Sequence, residues 1–125
     1  MEQQENISNK TIITGTNKTY QHYLPWWMNQ IRQRIPGVNI TVCDFGMSDK
    51  WSRWAEHVSD EFIKSPAKGN DSWFYKPLAL LDSTFEYKMW IDIDCEVVGD
   101  ISNIFDFIEP NKIAAAPDKY HSWGC

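Results

Sequence analysis

EYKMWIDID, residues 86–94, is the strongest strand candidate in the chain, and the pattern around it decides the fold. Aromatic and β-branched residues such as Tyr87, Trp90, Ile91 and Ile93 suit a pleated, largely buried surface. The run nevertheless ends in two aspartates, Asp92 and Asp94. Carboxylates are seldom buried unpaired, because desolvating a lone charge is costly. In a strand, side chains two apart share a face, so these two are expected to converge while Ile91 and Ile93 pack on the opposite side. A positive partner is expected to meet them.

Upstream of this strand, WFYKPLALLDS (73–83) reads as a helix with Pro77 near its first turn. Downstream, Asp100 is expected to cap a further helix carrying Ile101, Ile104 and Ile108, stopped by Pro110 before a strand at KIAAAP (112–117). Nearer the start, TIITG (11–15) suits a first strand, and Leu24, Trp27, Ile31 and Ile35 fall at helical spacing between Pro25 and Pro36-Gly37. VNITVCD (38–44) gives a second strand. Ser48 is placed to cap a helix with Trp51, Trp54 and Val58 inward, and EFIK (61–64) gives a third strand. The order βαβαβαβαβ predicts a three-layer α/β/α, Rossmann-like fold with a mostly parallel sheet, because parallel neighbours need helical crossovers. Residues 1–10 read as a polar tail and 11–125 as one domain.

Composition narrows the classes of function. The 125 residues carry a net charge of −5, which argues against a nucleic-acid polymer or an anionic membrane as partner. No apolar run approaches the length of a bilayer span, and the polar start lacks a signal-peptide core, so a cytoplasmic location is expected, with room for peripheral attachment to a membrane. Cys43, Cys95 and Cys125 are odd in number and form no CxxC pair, which reads as free thiols. The seven tryptophans read mainly as core.

In open parallel sheets, ligands bind beyond the carboxyl ends of the strands. Three elements deliver polar residues there: Thr14, Thr16 and Asn17 after the first strand, Asp44 after the second, and Asp92 with Asp94 after the central one. Hard cations such as Mg²⁺ and Mn²⁺ take oxygen ligands, and Mg²⁺ is commonly held by one or two carboxylates together with substrate phosphates. A dication between Asp92 and Asp94 would neutralise them and hold a diphosphate. Spacing alone is weak, since ten Asp in 125 residues produce roughly 0.8 chance Asp-x-Asp pairs, so weight falls on the position at the rim. GxSxG, GxxxxGK[ST], HExxH and GxGxxG are all missing, which leaves esterase, P-loop, zinc-protease and dinucleotide chemistry without their motifs.

TIITGTNKTY (11–20), YKPLALLD (75–82) and WIDIDCEVVGDISNIF (90–105) together resemble glycosyltransferases of the GT-A fold. The likeness is greatest to the family 8 type, which includes glycogenin and bacterial lipopolysaccharide galactosyl- and glucosyltransferases, and covers roughly residues 11–118. That resemblance implies a nucleotide-sugar donor, with a UDP-sugar favoured, and a glycan or other hydroxyl acceptor. It implies that Asp92 and Asp94 form a DxD motif binding Mn²⁺ or Mg²⁺ and, through Asp92, the donor. It places Thr14, Gly15, Thr16, Asn17 and Tyr20 along the nucleotide and Lys76 within reach of the donor. Members of the family continue well past the DxD strand, where the acceptor site and often a histidine ligand are found, so the domain is expected to be incomplete at its C-terminus. His121 reads as a surface residue, and no catalytic base is identified.

The function expected is metal-dependent glycosyl transfer, by this chain or by the donor-binding half it represents. A non-catalytic nucleotide- or carbohydrate-binding module is the alternative from another class. A nucleotidyltransferase is a third, disfavoured because TGTNKTY lacks a Gly-rich, basic loop.

Overall fold

The computed structural model describes residues 8–64 and 76–108. In chain order the elements are β1 (Lys10–Thr16), α1 (Leu24–Arg34), β2 (Asn39–Asp44), α2 (Asp49–Val58), β3 (Glu61–Lys64), α3 (Lys76–Asp82) and β4 (Tyr87–Trp90). Short 3₁₀ turns at Gln21–Tyr23 and Ile104–Phe107 precede α1 and follow β4. The described strands form one sheet in the order β3-β2-β1-β4, and every pairing is parallel.

Alternation along β1 sorts the core into two layers. Ile12 faces Leu24, Trp27, Met28 and Ile31 of α1 and Ala55 of α2, together with Ile40 and Val42 of β2. Ile13 points the other way, into a smaller cluster with Cys43, Phe45 and Ala79 of α3. Helices therefore cover both faces, as the α/β/α reading requires. Pro25 lies in the first turn of α1, where a missing N–H breaks no helical bond. Past the helix end, Gly37 takes φ of 84°, a left-handed conformation that glycine adopts without penalty.

The register levels the carboxyl ends of three strands. Thr16 pairs with Asp44 and Asp44 with Lys64, so β1, β2 and β3 finish together at one rim. On the α3 face a polar chain ties the opposite half of the sheet. The Thr11 and Thr41 hydroxyls lie 2.7 Å apart, Thr41 donates to Glu61, and Glu61 also accepts from Ser83 and from the Thr84 amide and hydroxyl.

Two expected elements differ. The strand predicted over 86–94 ends at Trp90: the Ile91 amide still bonds Ile13, but the chain then turns, and the Cys95 amide closes onto the Asp92 carbonyl at 3.1 Å. The helix expected after Asp100 is only a 3₁₀ turn among the described residues, with Ile108 already extended. Asp100 does accept the Ser102 amide at 2.9 Å, as a cap would, without a regular helix following. Isoleucines three apart, Ile101 and Ile104, fit the threefold period of a 3₁₀ turn as well as an α-helix, and both pack on the core. The strand expected at 112–117 lies outside the described residues.

Candidate functional site

From β1 the chain builds outward through β2 to β3, then returns to place β4 on the other side of β1. The strand order thus reverses between β1 and β4, and a crevice opens beyond the carboxyl ends at such a switch point. β4 stops level with Ile13, and Asp92 follows two residues later, just past the carboxyl end of β4. The Asp92 turn and the loop after β1 consequently flank the switch point.

A carboxylate oxygen of Asp92, one of Asp94 and the Cys95 sulfur all lie within 4.8 Å of one another. The two aspartates do converge, but through a turn rather than through strand alternation. Ile93, between them, is buried at 7% exposure among the α1-face core, which turns its two neighbours outward.

The two carboxylates are less buried than expected, and one of them already has a positive partner. Asp94 is exposed, and the Asp92 side chain is 47% exposed. Asp92 also has a cationic partner in the same chain: Lys76 Nζ lies 2.6 Å from Oδ1. The Trp90 indole N–H donates to that same oxygen at 2.6 Å, and the Lys76 ammonium sits 5.4 Å from the Trp90 ring centroid. Partial burial opposes ionisation of Asp92, but the bonds from Lys76 and Trp90 and the lysine charge outweigh it and hold the carboxyl below its usual range.

The donor set fits a divalent cation in kind and proximity. Both bonds to Asp92 fall on Oδ1, so Oδ2 has no partner among the described residues and can serve a metal. Asp94 supplies a second hard oxygen. Burial and the charges of Asp92 and Asp94 push the Cys95 thiol up, and its sulfur is a softer donor than the two carboxylates, so of the three groups it suits a hard cation least.

The remaining candidates divide into accessible and inaccessible groups. Asn17 accepts the Thr19 and Tyr20 amides through Oδ1 and so shapes the loop after β1, from which Tyr20 projects at 50% exposure. Tyr20 stacks toward Tyr23, which in turn meets Trp26. Thr14 has no exposed surface and Thr16 only 4%. Asp44 is 3% exposed, and its oxygens are engaged by the Gly46 and Met47 amides and the Ser52 hydroxyl, which anchors the loop into α2. Gly15 is needed for packing: a Cβ there would lie 2.2 Å from the Phe45 ring.

Three contributors have no signature in the sequence. Trp90 fixes Asp92 by hydrogen bond, and Phe45 stacks on Trp90 at 6.2 Å while lying over Gly15. Gln30 of α1 reaches the Val97 amide just past the acidic turn. An aromatic residue at the end of a strand reads as core, and Gln30 reads as an exposed helical position. A separate shallow depression lined by Asp49, Ser52, Arg53, Glu56, Phe62 and Lys64 lies beside β3, at the far edge of the sheet from β4. Its charges are of mixed sign along one helix face, and none of the site residues line it.

Among known proteins, no family model matches the chain and no curated sequence is significantly similar to it.

Proposed function

We propose that this domain binds a nucleotide-diphosphate sugar with a divalent cation and serves as the donor-binding part of a glycosyltransferase of the GT-A type. What carries the proposal is the grouping of Asp92, Asp94 and Lys76 at the switch point of a parallel sheet, opposite charges gathered where such folds receive ligands. A dication held by Asp92 and Asp94 would neutralise the donor diphosphate and stabilise the charge that grows on it as an acceptor hydroxyl attacks the sugar's anomeric carbon. Trp90 holds the Asp92 carboxylate in place from Oδ1, which leaves Oδ2 for the metal. Lys76 is free to exchange its partner for a phosphate, because an ion pair between side chains this exposed contributes only about 0.2–1 kcal/mol. Asn17 and Tyr20 present the accessible part of the loop after β1 to the nucleotide.

The Lys76–Asp92 pair also favours a second reading, a metal-free nucleotide- or carbohydrate-binding module, since it balances one of the two charges without an ion. Calorimetry with UDP, GDP and ADP, each with and without Mn²⁺, separates the two. Donor-site binding that requires metal and is lost in Asp92→Ala and in Asp94→Ala supports the transferase reading; binding that is indifferent to metal and to both substitutions overturns it. Hydrolysis of the nucleotide sugar then distinguishes an enzyme from a binder.

A further inference from the structure

Besides the Lys76 and Trp90 bonds to the Asp92 side chain, the acidic turn is held at three points. Ile91 N–H donates to Ile13 of β1, Ile93 is buried in the core, and Val97 is gripped by α1. At the last of these, the Gln30 side-chain oxygen accepts the Val97 amide at 2.7 Å, and Arg34, one helical turn further on, donates to the Val97 carbonyl at 3.4 Å. Both backbone groups of one loop residue are thus met by side chains of one helix. The strand cannot supply this restraint, because β4 has already ended at Trp90.

Gln30 has a further property that a merely solvated glutamine would lack. Its Nε2 is buried without a partner among the described residues. The amide cannot turn over to relieve this, because the Val97 N–H needs an acceptor and Nε2 is a donor. The side chain therefore keeps an unmet buried donor in order to hold Val97.

We infer that Gln30 is a positioning residue for the Asp92–Asp94 turn: helix α1, through Gln30 and secondarily Arg34, sets the separation of the two carboxylates. The inference deepens the proposed metal-donor site and rests on it. Residues that hold ligands in place without touching the metal typically change its affinity about 10- to 100-fold when removed.

The test uses wild type, Gln30→Ala and Gln30→Glu. Gln30→Glu keeps an oxygen for Val97, removes the orphan donor, and places a carboxylate four residues before Arg34, a favourable helical spacing. In the metal-free protein, hydrogen exchange is read at the Cys95 amide, which closes the turn, and at the Trp90 indole N–H; Ile12 and Ile40 amides serve as core controls. Mn²⁺ affinity is read by the paramagnetic signal of the free ion. Gln30→Ala is expected to speed exchange at Cys95 and Trp90 but not at Ile12 or Ile40, and to weaken Mn²⁺ binding about 10- to 100-fold. Gln30→Glu is expected to restore both readouts. Unchanged Cys95 and Trp90 exchange in Gln30→Ala overturns the inference, as does failure of Gln30→Glu to restore it. If Gln30→Ala does not fold, Gln30→Asn, one methylene too short to reach Val97, is judged by the same signals. Absence of Mn²⁺ binding in wild type overturns the proposed site, while the exchange measurements still decide the role of Gln30.

Discussion

Asp92 receives two donors on one oxygen, and this single residue links α3 to the turn after β4. Lys76→Met removes the cation but leaves the Trp90 bond, so the Asp92 carboxyl pKa is expected to rise, readable by NMR titration; an unchanged value would mean the ion pair does not form in solution. Gly15→Ala is expected to destabilise by about 1–3 kcal/mol, seen as a lowered Tm, since the added methyl meets the buried Phe45 ring, which also stacks on Trp90. The thiols should differ in reactivity. Burial, and then the charges of Glu61 and Asp82, push Cys43 up to about 12, whereas Cys95 is exposed. Peptide mapping after maleimide treatment of the native protein should find Cys95 labelled and Cys43 protected until unfolding. At this scale the sequence made Asp92 and Asp94 legible, because a hydrophobic run ending in acid is a local contradiction. Trp90 and Lys76 as partners of Asp92 were not, since their contact depends on where a crossover delivers α3.

At the scale of elements, the short strand β3 is held by Glu61 in addition to its own ladder with β2. That carboxylate accepts bonds from Thr41 of β2 and from Ser83 and Thr84 after α3, joining two strands to the next connection. Gln in its place offers two donors where Thr84 already donates twice, so Glu61→Gln is expected to cost about 1–3 kcal/mol in urea unfolding. Element existence was read well where periodicity and punctuation agreed: Glu61–Lys64 has the predicted bounds, and the second helix begins directly after Ser48. Ser48 does not bond the helix through its side chain; the loop is secured by Asp44 instead, through Ser52 and the Gly46 and Met47 amides. Readings failed where one pattern suits two structures. Isoleucines three apart served a 3₁₀ turn, and a strand-like stretch at Ile91–Asp94 left the sheet after Ile91 and closed a turn from Cys95 to Asp92, with the Asp92 side chain bonded to Lys76 and Trp90.

Across the whole molecule, acid should loosen the fold through carboxylates held ionised by their neighbours, Glu61 and Asp92 among them. For Glu61, burial raises the pKa but the bonds from Ser83, Thr84 and Thr41 bring it below its ordinary value; Asp92 is lowered against burial by Lys76 and Trp90. A folded-state pKa below the unfolded one stabilises above the unfolded value, near 4, and that contribution disappears as pH falls through the folded value. Urea unfolding across pH 2–6 should show stability falling below about pH 4, with a shallower fall in Glu61→Gln. A slope unchanged by that substitution would remove Glu61 from the account. By itself the sequence determined the alternation of strands and helices, the parallel sheet that alternation entails, and the acidic pair at its edge. These follow from periodicity and composition within stretches a few residues long. Only the tertiary structure decided that β4 ends at Trp90, that Asp92 pairs with a lysine 16 residues earlier, and that Gln30 grips an amide 67 residues away. Contacts of that separation are set by strand order and register, which no local pattern encodes.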